Sequence, residues 1–285
     1  MTARALLLVA ATAAATVAVA PPARAQHWRT LSSSRQLRDS GAVTVRIEYG
    51  AGSIAVRPAA SALLYQMSLK YDGDRSEPLT SYDSARHTLA LGIRSHSATS
   101  GRNDKEAGAL TAELSARVPM DLSLELGAVQ GDLQLGGLRL SNLALKGGAA
   151  ELTLRFDQRN PDRLHTLSLD VGAADVKIVR AGNSGVDRVS ANIGVGKLDL
   201  DLGGDVTRDV DVSANVALGV FTLRVPPEAG VRLETTTFLA SVDKAGLVKR
   251  EDGAWYTANF DSASRHVRVR VNTVLGGFTL ARDSR

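Results

Sequence analysis

The 285 residues contain no cysteine. Disulfides and thiolate metal sites are therefore excluded, and so is an N-terminal lipid anchor, which needs a cysteine to carry it. Aromatic residues make up only 4% of the chain, too few for a platform on which sugars or bases would stack. Charge of one sign is missing as well. The chain has 34 Lys and Arg against 30 Asp and Glu, with no basic block interleaved with aromatics, so nucleic acid is not an expected partner.

Long apolar runs are absent with one exception. Residues 5–20 are an unbroken stretch of Ala, Leu, Val and Thr behind a basic start that contains Arg4. Pro21 and Pro22 stop it, and Ala23-Arg24-Ala25 is the small-x-small pattern at which a secretory leader is cut. The run is shorter and richer in Ala than the ~20 strongly apolar residues a membrane span needs. A signal peptide over residues 1–25 is expected, with a mature chain from Gln26 that has no transmembrane span; the alternative is a leader retained as an N-terminal anchor. Export to the periplasm or surface of a bacterium follows. A leader carrying Arg4 and Arg24 and no acid leaves 32 basic residues against 30 acidic ones after its removal.

What is present is a repeat. VRIEYGAGSIAV from Val45, LALKGGAAELTL from Leu143 and LSLDVGAADVKI from Leu167 share one plan. So do VSANIGVGKLDL from Val189 and VSANVALGVFTL from Val212. LSLELGAVQGDLQL from Leu122 carries two extra residues in its turn, and LETTTFLASV from Leu233 and VRVNTVLGGFTL from Val269 are weaker copies. The polar residue before each turn marks the period: Glu48, Glu125, Lys146, Asp170, Asn192, Asn215, Thr236 and Asn272. From Glu125 to Thr236 the steps are 21, 24, 22, 23 and 21 residues. Such spacing is that of a solenoid with one repeat per coil, about 22 residues here.

Within each block the alternation has period two, so the blocks are strands. In one, the apolar set is Leu167, Leu169 and Val171, then Val176 and Ile178: odd positions become even. Val189, Ala191 and Ile193 give way to Leu198 and Leu200 in the same manner, and Val212, Ala214 and Val216 to Phe221 and Leu223. In a straight strand the second set would face solvent. A bend cancels the slip and keeps both sets inward. Gly and Ala occupy the break because a corner needs little side-chain bulk. Structural corners are accordingly assigned to Gly50, Gly127, Gly148, Gly172, Gly194 and Gly276, and Gly172→Val is expected to destabilise the fold. Leu169, Ile193, Val216, Leu200 and Leu223 are expected in the core. Stacking brings Glu125, Lys146 and Asp170 side by side, and likewise Glu151, Asp175 and Lys197. Opposite charges on neighbouring strands then help to set register.

The remaining segments are less regular. Residues 63–71, 87–93 and 110–118 read as strands, residues 72–78 as a polar loop, and Asn160-Pro161 as a loop between coils. Residues 95–108 (SHSATSGRNDKEAG) form a loop poor in apolar residues, and residues 243–265 an insertion before the last block. No linker is long enough to separate domains. One β-solenoid domain over residues 26–285 is expected, clearest at 121–242.

These blocks, with VDVSANVALGVFTLRVPPEAGVRLETTTFLASVDKAGLVKRE and the closing VRVRVNTVLGGFTL, resemble the toast-rack type of β-solenoid. The chain is similar to the C-terminal domain of LiaF-like cell-wall-stress proteins and to adhesin-like exported bacterial proteins, over residues 43–281. The resemblance implies an all-β, single-stranded parallel β-helix and no enzymatic chemistry. Unlike the LiaF-type membrane proteins, this chain has no multi-span membrane region.

An enzyme is the alternative, because polysaccharide lyases and hydrolases also use parallel β-helices. They need clustered carboxylates, often with calcium or an Arg nearby. The best such cluster is Asp199 and Asp201, on one outward face, with Arg224 one coil further on. Alternating exposed positions are normally polar, so this group, like Asp170, Asp175 and Lys177, also reads as an ordinary solvent face. His27, His87, His96, His165 and His266 are scattered without metal-ligand spacing. Ser184 lacks the Gly-x-Ser-x-Gly setting of a nucleophile. Residues 204–211 (GDVTRDVD) lack calcium-loop spacing. Trp255-Tyr256 suits a cover over an open solenoid flank. The expected role is a non-catalytic structural or binding module of the cell envelope, without metal or cofactor. Its partner would be cell-envelope polysaccharide or another envelope protein.

Overall fold

The computed structural model describes residues 27–95 and 108–282. The expected leader, His96 and the centre of the expected 95–108 loop lie outside the described residues. In chain order the strands are β1 (Trp28–Gln36), β2 (Val43–Ala59), β3 (Leu63–Asp72), β4 (Ser76–Asp83), β5 (Thr88–Ser95), β6 (Ala109–Ser115), β7 (Met120–Gln134) and β8 (Leu140–Arg155). They continue as β9 (Thr166–Val179), β10 (Arg188–Asp201), β11 (Val210–Arg224), β12 (Gly230–Asp243), β13 (Leu247–Lys249), β14 (Trp255–Thr257) and β15 (His266–Ala281). All belong to one sheet, with one short 3-10 turn at Ala181–Ser184. The protein is an all-β solenoid whose coils are the parallel strands β2, β7, β8, β9, β10, β11, β15 and β12, in that spatial order.

Register follows the repeat. Leu167, Val189 and Val212 are neighbours across the stack, as are Ile178, Leu200 and Leu223. Leu169, Ile193, Val216, Leu200 and Leu223 are all buried. The parity change is seen in β9, where Leu167, Leu169 and Val171 are buried before the break and Ala174, Val176 and Ile178 after it. Both sets join one core cluster. Each long strand is therefore two arms folded over a shared interior.

At the break every ladder omits one residue pair. The omitted positions are Gly50, Gly127, Gly148, Gly172, Gly194, Ala217, Val274 and Phe238. A Cβ on Gly127 would lie 2.1 Å from the Gly50 carbonyl oxygen, one on Gly172 2.9 Å from that of Gly148, and one on Gly194 2.6 Å from that of Gly172. Close backbone approach, not a positive φ, requires glycine here. Gly276 falls two residues later than the corner of its strand. It stacks in register with Gly219, which stacks on Gly196. This second column has φ values of 132°, 152° and 135° at Gly196, Gly219 and Gly276.

Both ends of the stack break chain order. β2 lies between β7 on one side and β5 with β6 on the other. β5 pairs with the first arm of β2 and β6 with the second, so the two make one coil split at its corner. β15 enters between β11 and β12. The 21-residue step from Asn215 to Thr236 suggests adjacent coils, yet Asn272 lies between them. The signal was in the sequence: LGVFTL of β11 and LGGFTL of β15 are the closest pair of blocks. Phe221 and Phe278 stack with ring centroids 5.2 Å apart.

A solenoid must also cover the core exposed at its ends. β3 runs antiparallel on β6, and β1 on β3. The 72–78 segment, read as a loop, is a strand from Ser76, since β4 pairs antiparallel with β5. β4 is an edge, where the missing N–H of Pro78 costs no ladder bond. At the other end β14 pairs with β12 only at Arg232 and Leu233, and β13 pairs with β14.

Two outcomes are expected from substitution. Leu200→Ala removes a fully buried side chain and should cost ~2–5 kcal/mol, read by urea or thermal unfolding. Gly196→Ala should destabilise more than Gly172→Ala in the same assay. A Cβ at 196 would sit 1.9 Å from the Ala174 carbonyl oxygen, and the left-handed φ alone costs roughly 1–3 kcal/mol.

Candidate functional site

The corner column and its neighbours form a ridge along the outside of the stack. Immediately after the corner the column reads Ala51, Ala128, Ala149, Ala173, Val195, Leu218, Leu275 and Leu239. Parallel pairing in register makes this inevitable once each block places a small apolar residue there. Both columns change in one direction. The corner grows from Gly to Ala217, Val274 and Phe238, and the next position grows from Ala to Val and Leu. Val195, Leu218, Val274, Leu275, Phe238 and Leu239 are exposed.

Grooves flank the ridge. One of about 640 Å³ runs across β7, β8, β9 and β10, lined by Ala128, Ala149 and Ala173 of the ridge, by the buried Val129, Ala150 and Ala174 next to them, and by Glu151 and Asp175. On the other side a groove of about 450 Å³ is lined by Asp170, Asn192, Asn215, Asn272 and the adjacent corner residues. Its amides form a ladder: Asn215 Nδ2 donates to Asn192 Oδ1 at 2.7 Å, and Asn272 Nδ2 to Asn215 Oδ1 at 2.7 Å. Sequence reasoning used these asparagines only as markers of the period. Three identical amides at one position of three blocks was the available signal. A third groove, of about 500 Å³, holds Glu48, Glu125 and Lys146 beside Tyr49. The Tyr49 hydroxyl is buried without a hydrogen-bond partner among the described residues, and burial pushes its pKa up to about 12.

The expected charge files stack as register demands, but the contacts run elsewhere. Glu125 is neighboured by Lys146, yet its carboxylate takes Arg46 Nη2 at 2.6 Å, diagonally across from β2. Arg155 binds Asp132 at 2.8 Å on the same diagonal. A diagonal partner lies within reach of a long side chain, and the planar, many-donor fork of Arg suits a carboxylate there.

Asp199 and Arg224 repeat that diagonal as an ion pair, with Asp199 buried beneath the Arg. Asp201 turns away from them. Its carboxylate accepts the Gly203 N–H at 2.7 Å and the Arg180 N–H at 3.2 Å, holding the chain as it leaves β10. The three residues are close, but each carboxylate is engaged separately and none lines a described groove. Ser184 is fully buried and donates to the Ala181 carbonyl at 2.6 Å. Within 204–211, Asp205 binds Arg159 and Asp209 binds Arg268. The described histidines each face a different carboxylate: His27 Asp74, His87 Asp39, His165 Asp187 and His266 Asp209. Among the described residues no group of three or more His, Asp and Glu could hold a metal, and no helix is long and apolar enough to cross a membrane.

Trp255 and Tyr256 lie on β14 against the flank of β12, and Tyr256 is buried. Arg232 Nε donates to the Tyr256 hydroxyl at 2.8 Å, and that hydroxyl donates to Asp252 at 2.5 Å. Arg250 stacks 4.2 Å from the Tyr256 ring centroid and grips Asp261 through both nitrogens. The Tyr256 hydrogen bond lowers the pKa of Asp252, and those from Arg250 and Arg232 lower Asp261 and Glu234. A depressed carboxylate stabilises above its unfolded pKa of about 4 and loses that contribution as pH falls through its folded value. The insertion should thus stay docked at neutral pH and loosen in acid, first seen as a red shift and quenching of Trp255 fluorescence in a Trp28→Phe background. An Asp252→Asn variant should loosen less steeply over the same range.

Comparison with known proteins agrees with the all-β stack. Residues 25–179 match the family model for the N-terminal domain of toast_rack, DUF2154. No curated protein matches the chain. Among solved structures it is similar to a candidate cell adhesion protein from Clostridium sporogenes, at 13% identity over 90% of this chain and 100% of that one, with a TM-score of 0.45. It is also similar to a candidate adhesin from Bacteroides fragilis, at 10% identity over 88% of this chain and 97% of that one, with a TM-score of 0.42. Overlaps this loose say nothing about what the chain binds. The family match spans more than half of the sequence, from the N-terminal cap through four of the stacked coils, and on that match the chain belongs to the toast-rack family.

Proposed function

We propose that this chain is an exported, non-catalytic structural or binding module of the bacterial envelope. Residues 26–285 act as one unit behind a cleaved leader, in the periplasm or at the cell surface, and related to the adhesin-like and cell-envelope-stress proteins. Its partner is cell-envelope polysaccharide or another envelope protein. The observation that carries this reading is the ridge with its flanking grooves. They are open, run across the strands and are lined by alanines and by laddered amides. An open, straight groove of that kind suits an extended polymer laid across several coils, contacted at a regular spacing of about 4.8 Å per strand. The charges best suited to acid–base work are instead paired with one another or with backbone.

The test is a binding screen of the full chain against envelope glycans and peptidoglycan, run together with an assay for released sugar. Binding without release is expected. Ala173→Arg puts a long charged side chain on the alanine wall of the groove and should weaken binding ~10-fold or more, about 1.4 kcal/mol. Asp199→Ala should leave binding intact and cost about 1 kcal/mol of stability, the scale of one charge-assisted contact at a half-exposed Arg. Sugar release that disappears in Asp199→Ala or Asp201→Ala would instead establish a carbohydrate-active enzyme.

A further inference from the structure

Among the described residues, β12 ends the stack with an edge that no strand covers past Leu233. β15 pairs with one side of it from Gly230 to Asp243, whereas β14 reaches the other side only at Arg232 and Leu233. Among the described residues, the outward-facing backbone N–H and C=O groups of residues 235–242 have no strand beside them. That stretch, TTTFLASV, contains no charge and no proline. Protein edges are ordinarily blunted by Lys, Pro or a bulge, and an uncharged open edge is a template for another strand. The apolar ridge is also bulkiest at this edge. Phe238 is 80% exposed and Leu239 64%, with Val274 and Leu275 beside them at 55% and 45%.

We propose that a second copy of this chain covers the edge, with β12 pairing antiparallel to β12 of the partner, corner against corner, so that two stacks join into one. The bent shape of the strand selects this arrangement. A two-fold axis that bisects the bend reverses strand direction, leaves both corners pointing the same way, and brings identical edges face to face. Such an interface is isologous, so one patch supplies both sides. Residues 235–242 add no like-charge repulsion when they face themselves. The hairpin at the ends chooses the register. With Phe238 on the axis, Asp243 and Lys244 would face Leu233 and Arg232, where β14 already occupies the edge. With Leu239 on the axis, one residue past the corner, Glu234 of each copy faces Lys244 of the other, clear of the hairpin. The β13–β14 hairpin stops the pairing at Glu234, because it already occupies the edge at Leu233. The exposed Phe238 and Leu239 side chains of the two copies then form one continuous apolar strip. This pairing is independent of which envelope ligand occupies the grooves.

The absence of cysteine makes the register testable in the full chain. In an antiparallel pair, directly opposed Cα atoms are about 4.5–5.5 Å apart, within the range a disulfide spans. Leu239→Cys should therefore cross-link to a covalent dimer under mild oxidant. Val248→Cys, similarly exposed but on β13 and not on the β12 edge, should not. Sedimentation equilibrium of the unmodified chain should give twice the mass of one copy at about 100 µM, where interfaces of micromolar strength are filled. Leu239→Lys, at a side chain that contributes little to the core, should return the mass to that of one copy with unchanged thermal unfolding of the monomer. Thr237→Pro should do the same by breaking edge pairing. A monomeric unmodified chain, a dimer that survives both variants, or equal cross-linking at 248 would overturn the proposal. So would a monomer that sediments with phosphatidylglycerol vesicles and loses this in Leu239→Lys, since lipid would then be the occupant.

Discussion

Coil-to-coil contact at the corner is the constraint on which the rest depends. A carbonyl of one coil occupies the space where the next coil's Cβ would lie, at 2.6 Å for Gly194 over Gly172 at the corner and 1.8 Å for Gly276 over Gly219 two residues past it. Two bent strands can hold their hydrogen bonds on both arms only if the corners nest that closely. Glycine at those positions permits the hydrogen-bonded spacing along the stack, and that spacing lets Leu198, Phe221 and Phe278 fall above one another in the interior. Slip by one residue would turn both arms inside out, so register and core specify each other.

The same stacking makes surface chemistry repetitive. Any residue type kept at one position of the block becomes a line across the sheet: a row of alanines, an asparagine ladder, a diagonal of Arg–Asp pairs. Lines of this sort suit a long ligand contacted many times with modest strength at each point. They are poorly suited to acid–base catalysis, which needs unlike groups converging on one atom. Asp199 and Asp201 illustrate the difference. They sit two residues apart on one strand, yet one neutralises an Arg and the other holds a turn.

The ends depart from repetition because a solenoid core cannot be left open. At the first end a split coil and an antiparallel cover close the stack. At the other, the Trp255–Tyr256 hairpin closes only the first arm of β12. Corner residues grow from Gly to Phe toward that incompletely closed end, which concentrates exposed apolar surface where the backbone edge is also free.

Strand content, the two-arm shape and the pairing of like positions were legible because period-two alternation and its parity change are local properties of each block. Leu167 and Val176 already stand on opposite parities, and only a bend brings both inward. Which coils are neighbours is not local. Asn215 and Asn272 are 57 residues apart, and β15 lies between β11 and β12 because its whole ladder, Phe278 on Phe221 and Gly276 on Gly219, fits there. Tertiary structure also decided where the charges went, since Glu125 faces Lys146 by register but bonds Arg46 by reach. It decided which glycines need a left-handed backbone, too: Gly196, Gly219 and Gly276 two residues past the corner position, where a neighbouring carbonyl leaves no room for a side chain.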